Sequence, residues 1–288
     1  MKEESDFKKV TIIGVGLIGG SIGLALNADK ADFKIVGVDK EEVIEKALSR
    51  GAIDEGTVNL EEGVREAEVV IMATPIRTIL ELLPKIAPLL KRGCLVTDTG
   101  STKVRIIETA SQELPPTVHF IGGHPMAGSE KYGIEAADPH LFRDKNYILT
   151  PTSETDWTAL EKMSSLIQKI KANLIVLNPF EHDRLVGATS HLPQIVAVSL
   201  VNTVDRLIQE ENNNHYWGVI GGGFKDMTRI SLSSPEIWLD ICATNQEAIL
   251  KTIRKFKEEV NLIEEGLIND PDSLKEKFQR AKKLRESI

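Results

Sequence analysis

The sequence predicts an α/β protein with a doubly wound parallel sheet in its N-terminal part and an all-helical C-terminal part. Three observations predict this fold. Short apolar runs alternate with amphipathic stretches through the first 178 residues, a glycine-rich string follows the first run, and strand-like runs stop after Pro179. Such alternation is typical of strands joined by crossover helices in a parallel sheet.

The candidate strands are short apolar runs, namely VTIIGV, KIVGVD, EVVIMAT, CLVTDTG, VHFIGG, NYILTP and NLIVLNP. The candidate helices between them carry apolar residues at every third or fourth position, which is the helical period. They include EEVIEKALSR, IRTILELLPKIAPLL and WTALEKMSSLIQKI. We therefore assign residues 1–178 to one domain built around the sheet.

The remaining residues, 179–288, are predicted to form a helical domain for substrate binding and dimerisation. Its segment IVAVSLV is apolar almost all round, so we expect burial either inside the domain or against a second subunit. The last stretch, SLKEKFQRAKKLRESI, has one apolar face and predicts a packed terminal helix. A homodimer is the expected assembly.

Composition excludes several classes of partner. The net charge of −8 argues against a nucleic-acid surface or attraction to anionic membranes, since both need clustered positive charge. The N-terminus is too charged for a signal peptide, and no apolar run reaches the roughly 18 residues of a membrane span. Cys94 and Cys242 lie in apolar surroundings and are interpreted as reduced core residues. We expect a cytoplasmic protein with a small-molecule ligand.

The glycine-rich string GVGLIGGS places Gly14, Gly16 and Gly19 in GxGxxG spacing between a strand and a helix. In a dinucleotide-binding (Rossmann) fold, these glycines allow a tight turn, backbone approach to the pyrophosphate, and close helix packing. Leu17 and Ile18 then begin the helix whose N–H groups favour an anion. The alternative is a glycine-rich turn that binds no ligand.

The end of the second candidate strand indicates which dinucleotide is bound. Asp39 lies there, twenty residues after Gly19, where this fold places an acid on the adenosine ribose. A carboxylate accepts bonds from ribose hydroxyls and repels the extra phosphate of NADP, so NAD is the expected cofactor. Lys40 leaves residual use of NADP open. Thr74 and Pro75, at the end of a later strand, are also expected to contact NAD.

Polar residues follow two further strands, where ligands bind in such sheets. CLVTDTGSTK supplies Asp98, Ser101 and Lys103, and VHFIGGHPMAGSE supplies His124, Ser129 and Glu130. The stretch GGHPMAGSE is either a tight turn or an active-site loop, and the flanking glycines favour the loop. Ser101 and Thr102 are equally consistent with helix capping and with substrate contact.

Two more segments are candidates for the substrate site. His191, in TSHLPQ, begins an apolar helix and could equally be a hydrogen-bonded core residue. In WGVIGGGFKDMTRI, three glycines precede Lys225, Asp226 and Arg229, and the arginine suits a carboxylate substrate because its guanidinium makes two parallel hydrogen bonds. Nothing in the sequence distinguishes the remaining histidines, which are His119, His140, His182 and His215.

Several motifs together resemble a known family. GVGLIGG, DTGSTK, HPMAGSE, TSHLPQ, GGGFKDMTRI and SSPEIWLDICATN are similar to motifs of the prephenate and arogenate dehydrogenases of tyrosine biosynthesis. The resemblance extends from about Lys9 to Glu265. It implies an NAD-linked oxidative decarboxylation, in which prephenate loses a hydride and CO2 and becomes aromatic 4-hydroxyphenylpyruvate.

The resemblance also implies roles for individual residues. His124 would accept the proton of the ring hydroxyl, for which a pKa near 6.5 is well suited. Ser101 would orient that hydroxyl and His124, and Arg229 would hold a substrate carboxylate. His191 would contact the side chain of the substrate, and Trp238 would line the pocket. Glu130 and Asp226 would form an ionic network that controls access. No metal is implied.

Some departures and alternatives remain. The family usually has arginine where this chain has Lys225, so a bidentate contact is not expected there. We expect no fused regulatory domain, while inhibition by tyrosine at the active site stays open. The pattern does not distinguish prephenate from arogenate as the substrate.

Two other functions are alternatives. A β-hydroxyacid dehydrogenase would share this two-domain plan but use a lysine in the inter-domain helix, and no lysine occurs from Gly187 to Val204. A non-catalytic NAD-sensing dimer would not need His124, Ser101 and Arg229 together.

Overall fold

The computed structural model describes residues 7–28, 34–128, 131–210 and 218–287. Its eight strands form one sheet in the order β3-β2-β1-β4-β5-β6-β7-β8. The strands are β1 Lys9–Ile13, β2 Lys34–Val38, β3 Glu55–Thr57, β4 Val69–Met72, β5 Leu95–Asp98, β6 His119–Pro125, β7 Asn146–Thr150 and β8 Asn173–Val176. The doubly wound fold is thus confirmed, with the short strand β3 in addition to the predicted ones.

The sheet is parallel except between β6 and β7, which pair antiparallel. A parallel neighbour needs a crossover connection, usually a helix. The described part of the β6–β7 connection instead contains a short 3-10 turn at Ile134–Ala136. The chain therefore returns in the opposite direction, which corrects the prediction of an entirely parallel sheet.

Among the described residues, six helices cover the two faces of the sheet. They are α1 Leu17–Ala28, α2 Glu41–Ser49, α3 Leu60–Val64, α4 Ile76–Ile86, α5 Val104–Glu113 and α6 Trp157–Lys169. Side chains of α1, α2 and α6 pack into one buried cluster, and those of α3, α4 and α5 pack into the other. In α4 the buried residues Ile76, Ile79, Leu83 and Ile86 follow the helical period, as the sequence predicts.

After β8 the described chain is helical. The elements are α7 Pro179–Val186, a π-helical segment Gly187–His191, α8 Leu192–Glu210, α9 Gly222–Thr228, a 3-10 segment Arg229–Leu232, α10 Pro235–Thr244, α11 Gln246–Asn269 and α12 Pro271–Glu286. Ile241 of α10 and Ile249 of α11 join the sheet cluster that contains α4 and α5. These contacts attach the helical part to that face of the sheet.

The continuous helix Pro179–Glu210 is long and apolar enough to cross a membrane by length and composition, with 28% of its apolar window buried. Core helices of water-soluble proteins pass the same test. This helix also contains buried His182, Asp183 and His191, whose side chains bond within the fold. We therefore assign it to the protein fold.

Two predictions about helix packing have different outcomes. Val198, in the middle of IVAVSLV, is exposed, so burial entirely inside the domain does not hold, while burial against a second subunit stays a prediction. The terminal helix α12 forms as predicted, but it has no buried residue and leaves Phe278 exposed. In each case one chain alone supplies too few neighbours to cover the apolar face.

Candidate active site

The glycine turn between β1 and α1 is closely packed on one side and open on the other. Gly14 has a φ of +89°, a conformation that favours glycine. A Cβ atom on Gly19 would lie 2.0 Å from the carbonyl oxygen of Gly14, so the helix passes too close for any side chain. A Cβ on Gly16 would meet nothing within 4 Å. The turn therefore leaves space over Gly16 beside the start of α1.

The residues around this space suit a dinucleotide. Asp39 accepts hydrogen bonds from the backbone N–H of Val15 at 2.7 Å and of Lys40 at 2.7 Å, which fixes its carboxylate against the turn. The hydroxyl oxygen of Thr74 is buried and has no partner within the described residues. Leu17 and Ile18 form the half-buried start of α1, and Pro75 is the exposed N-cap residue of α4. A polyhydroxy ligand would supply the partner that Thr74 lacks.

His124 lies within β6, opposite Ile148 of β7, and is only 8% exposed. The strand runs on to Pro125, so the prediction that an irregular loop presents this histidine is wrong. The ladder with β7 continues past the two glycines and holds the backbone of His124 in the sheet. A histidine on a strand is positioned more rigidly than one on a loop.

The side chain of His124 belongs to a buried chain of polar groups. Its Nδ1 lies 2.8 Å from Nε2 of His182, and Nδ1 of His182 lies 2.7 Å from a carboxylate oxygen of Asp183. His182 and Asp183 are adjacent on α7, far from β6 in sequence. Sequence reasoning could not select either residue, because the contact forms only when the helical part packs on the sheet.

Asp183 also determines how α5 begins. Its carboxylate accepts the backbone N–H of Lys103 at 2.7 Å and of Val104 at 3.0 Å, groups that a helix start leaves unsatisfied. The capping alternative for Ser101 and Thr102 is therefore replaced by a cap from another element. Thr102 instead bonds the hydroxyl of Thr244 at 2.8 Å, and Ser101 lies half-buried in the turn before α5.

A buried ion pair supports the strand beneath His124. Lys103 bonds the carboxylate of Asp98 and donates to the carbonyl oxygen of Gly123 at 2.6 Å. Asp98 also accepts the N–H of Gly123 at 3.2 Å. Burial raises the pKa of Asp98 and lowers that of Lys103, while their mutual attraction opposes both shifts. These two residues fix the backbone next to His124 and are themselves fully buried.

His191 ends the π-helical segment and has one satisfied and one unsatisfied ring nitrogen. Its Nδ1 lies 3.2 Å from the side-chain amide nitrogen of Asn245, and its Nε2 is buried without a partner in the described part of the chain. Burial lowers its pKa to about 4. A core histidine would be expected to bond through both nitrogens, so the unpaired Nε2 favours a ligand contact.

Trp238 of α10 packs edge-on against His191, with ring centroids 5.9 Å apart. With its amide oriented to satisfy both neighbours, Gln194 accepts from the indole N–H at 3.2 Å and donates to the carbonyl oxygen of Ile230 at 2.9 Å. This bridge fixes the indole and ties it to the segment that contains Arg229. Trp238 is therefore held as one wall of the region around His191.

The region is arranged to keep His124 neutral. Burial lowers the pKa of His124 well below its usual value, and the nearby charges of His182, Lys103 and His191 lower it further. Burial also lowers the pKa of His182, an effect that the bond to Asp183 opposes. At neutral pH the imidazole of His124 is therefore uncharged and able to accept a proton.

The other predicted substrate residues are not part of the buried group around His124 and His191. Asp226 and Lys225 are exposed on α9, and Arg229 is exposed at the start of the following 3-10 segment. Ser129 and Glu130 lie outside the described residues, as does Trp217. The predicted network between Glu130 and Asp226 therefore stays a prediction. Within the described residues, no group of three His, Cys, Asp or Glu side chains could hold a metal ion.

Comparison with known proteins identifies the family. The family model for the nucleotide-binding domain of prephenate dehydrogenase matches residues 22–176, and the model for its dimerization domain matches residues 178–280. Prephenate dehydrogenase of Lactococcus lactis is 40% identical over 284 residues, which are 98% of this chain and 77% of that protein.

Two solved structures extend the likeness to the whole fold. Prephenate dehydrogenase from A. aeolicus, in complex with hydroxyphenyl propionate and NAD+, has a TM-score of 0.92 and 34% identity, with 99% of each chain covered. Arogenate dehydrogenase from Synechocystis has a TM-score of 0.84 and 30% identity, with 97% of this chain and 99% of that chain covered. The protein is a member of the prephenate dehydrogenase family, a group of NAD-dependent oxidoreductases.

Proposed function

We propose that this protein catalyses the NAD-dependent oxidative decarboxylation of prephenate to 4-hydroxyphenylpyruvate, a step of tyrosine biosynthesis. The observation that carries the proposal is the buried, neutral His124, held on a strand of the sheet that also bears the dinucleotide turn. A relative of 40% identity is a prephenate dehydrogenase. Arogenate is the alternative substrate, supported by the likeness to the Synechocystis enzyme.

NAD fits the turn formed by Gly14, Gly16 and Gly19, because the open side of Gly16 leaves room for a pyrophosphate. When bound, NAD supplies the acceptor for the hydride that the substrate loses. The carboxylate of Asp39 favours ribose hydroxyls over the 2′-phosphate of NADP. The neighbouring Lys40 is exposed and would allow residual use of NADP.

His124 handles the proton of the reaction. As the ring carbon that bears the hydroxyl is oxidised, the O–H bond breaks and its proton moves to the imidazole. The bond between the ring and its carboxylate then breaks, CO2 leaves, and the bonding pair completes the aromatic ring. The resulting phenolate oxygen takes the proton back, so the base is regenerated. General base catalysis of this kind contributes about 10²- to 10⁴-fold to the rate.

The substrate-binding roles implied by the family resemblance are part of this proposal. Arg229 would bind a substrate carboxylate, a charge-assisted contact worth about 1.5 to 3 kcal/mol. His191 would use its unpaired Nε2 on the substrate side chain, and Ser101 would orient the ring hydroxyl. Trp238 would line the pocket, and Glu130 with Asp226 would control access to it. Tyrosine, which shares the phenol of the product, is a candidate inhibitor at the same site.

We further propose that residues 1–178 bind the cofactor and that residues 179–288 bind substrate and form a homodimer. The last strand ends at Val176, and helices follow. An exposed apolar stripe runs along α11 at helical spacing, formed by Phe256, Val260, Ile263 and Leu267. A stripe of this kind is typical of a subunit interface. A biosynthetic role of this kind places the protein in the cytoplasm.

The test is the initial rate of NAD reduction by the purified protein with prephenate or with arogenate, followed by identification of the aromatic product. Faster turnover of prephenate, giving 4-hydroxyphenylpyruvate, supports the proposal. Faster turnover of arogenate would replace the substrate and retain the chemistry. If neither substrate reduces NAD while NAD binding is measurable, the proposed activity is wrong.

A further inference from the structure

We propose that His182 and Asp183 are positioning residues for His124, which fix its proton on Nδ1, keep Nε2 as the basic nitrogen, and accept the charge that catalysis creates. This inference rests on the proposed function, because it concerns the same proton. The three side chains form an unbroken chain, with 2.8 Å between the two histidines and 2.7 Å between His182 and Asp183.

The direction of the two hydrogen bonds follows from the acceptor at the end of the chain. The carboxylate of Asp183 accepts the N–H groups of Lys103 and Val104, and an ionised carboxylate has no proton to donate. Nδ1 of His182 must therefore carry the proton in the bond to Asp183. In a neutral imidazole the other nitrogen, Nε2, is then an acceptor.

The same reasoning fixes the tautomer of His124. Since Nε2 of His182 can only accept, Nδ1 of His124 must donate in the bond that joins them. Nε2 of His124 is therefore left with a lone pair. Without this chain a neutral histidine could protonate either nitrogen, and one of the two forms has no base at Nε2.

The surroundings determine where positive charge can be accommodated. His124 is faced by His182 of α7, by Lys103 at the start of α5, and by His191 of the π-helical segment, all of which disfavour a cation there. Asp98 of β5 neutralises Lys103, and Tyr147 of β7 lies beside the neighbouring Gly123. Asp98 is already paired with Lys103, whereas Asp183 bonds His182. A positive charge is therefore better accommodated on His182 than on His124.

The proton relay balances without any electron transfer. When the substrate O–H bond breaks, its proton bonds to Nε2 of His124. The proton on Nδ1 of His124 then moves to Nε2 of His182, which becomes an imidazolium ion paired with Asp183. Both transfers reverse when the product phenolate is protonated, so all three residues return to their starting states.

Three substitutions separate positioning from mere packing. His182→Gln retains an acceptor near the place of Nε2 but cannot hold an additional proton. His182→Phe keeps the ring volume and removes the acceptor. Asp183→Asn keeps an oxygen for one of the two N–H groups of α5 and removes the negative charge. His140→Gln is the matched control, because His140 is exposed and its side chain takes no part in this chain.

We would measure kcat and KM across pH for each variant, together with the dissociation constant of NAD. We expect His182→Phe to lower kcat about 10²-fold with NAD binding unchanged; misplacing a catalytic histidine tautomer costs about 10⁴-fold in serine proteases. His182→Gln should recover part of that loss. Asp183→Asn should move the acid limb of the kcat profile to lower pH, because the carboxylate no longer stabilises the protonated pair.

A readout independent of turnover is the ¹⁵N chemical shift of the histidine side chains. We expect Nδ1 of His124 to be protonated in the unsubstituted protein and in His182→Gln, and a mixture of tautomers in His182→Phe. A proton on Nε2 of His124 in the unsubstituted protein would overturn the proposal, as would a His182→Phe variant with unchanged kcat and acid limb.

The two measurements keep the proposals apart. If neither substrate is turned over, the proposed function fails, and the ¹⁵N shifts still decide the tautomer. If His182→Phe melts at assay temperature, Asp183→Asn and His182→Gln decide the relay. Unchanged kcat and an unmoved acid limb in both of these variants would overturn it.

Discussion

The sheet-containing region and the helical region bury apolar and polar side chains in very different proportions. Residues up to β8 place almost all of their large apolar side chains in two clusters on the faces of the sheet. Among the described residues, the helical region buries seven polar side chains beside only five apolar ones; the polar ones are His182, Asp183, His191, Gln194, Thr228, Asp240 and Asn245, and the apolar ones are Val186, Ala197, Ile208, Ile241 and Ile249. It leaves many apolar side chains of α8, α10, α11 and α12 exposed.

This difference indicates how the two regions are stabilised. The first region completes its hydrophobic core within one chain. The second region has few buried apolar contacts of its own, so its helices depend on the sheet, through α4 and α5. Its exposed apolar side chains are the surface at which we expect a second subunit to pack. Of its buried polar residues, His182 and Asp183 form the hydrogen-bonded chain that ends at His124.

Removing the apolar stripe of α11 should have the largest effect. Ile263→Lys combined with Leu267→Lys would place two charges at positions that we expect a partner to bury. Burial of each apolar side chain is worth about 1.5 to 3 kcal/mol, so the dissociation constant of the dimer should rise about 10²- to 10⁴-fold. Sedimentation velocity or mass photometry measures the change.

The matched control lies in the first region, where Val58→Lys combined with Trp157→Lys also replaces two exposed apolar side chains. That variant should keep the mass of the unsubstituted protein. If both variants lost the dimer equally, or if neither lost it, the α11 stripe would not be the subunit interface.

Replacing the base should break activity without disturbing either region. His124→Asn retains a polar side chain in the strand but cannot accept the hydroxyl proton. We expect kcat to fall about 10²- to 10⁴-fold, with the NAD dissociation constant and the subunit mass unchanged. Full turnover by this variant, with both ligands bound, would show that His124 is not the base.

Acid should weaken the junction of the two regions through its buried histidines. The pKa of His191 is lowered from 6.5 to about 4 in the folded protein, so the unfolded chain binds this proton more readily. Stability is therefore fully present above pH 6.5 and is lost as the pH falls towards 4, by about 3 kcal/mol for this group. His124 and His182 shift in the same direction and add to the loss.

Urea unfolding at several pH values measures this dependence. His191→Asn should flatten the fall between pH 6.5 and 4, whereas the exposed His140→Gln should not. An identical fall in both variants would assign the acid sensitivity to other groups.

The smallest effect is expected from the indole that packs on His191. Trp238→Phe keeps the aromatic contact but leaves the Gln194 oxygen unpaired in a buried position. We expect the free energy of unfolding to fall by about 1 to 2 kcal/mol and KM for the substrate to rise about fivefold. The exposed Trp157→Phe is the control, and an equal change in both variants would mean that the Gln194 bridge does not position Trp238.

The sequence predicted those parts of the fold that are encoded locally. Apolar runs identified seven strands, and the GxGxxG spacing located the turn at Gly14. The strand β3 was not predicted because its residues, Glu55–Thr57, carry no apolar signal. The direction of β7 was wrong because alternation of side chains is the same in parallel and antiparallel strands.

Site residues with a distinctive local setting, such as His124 between glycine and proline, could be selected from sequence. His182 and Asp183 could not, because their significance arises from contacts across 58 and 80 positions of the chain. Asp183 shows the limit most clearly, since it caps a helix for which the sequence offered Ser101 and Thr102 as possible caps. Contacts between separate elements depend on tertiary packing, which a single sequence does not display.

The π-helical segment Gly187–His191 makes the long helix sensitive to insertions and deletions. A π turn contains one more residue than an α turn. Deleting one residue there would restore α-helical geometry and rotate α8 by about 100° relative to α7. His182 and Asp183 precede the segment and would keep their register, while Gln194 follows it and would turn away from Trp238. The orientation of Gln194 and Trp238 relative to each other therefore depends on the one extra residue of the π turn, whereas the positions of His182 and Asp183 do not.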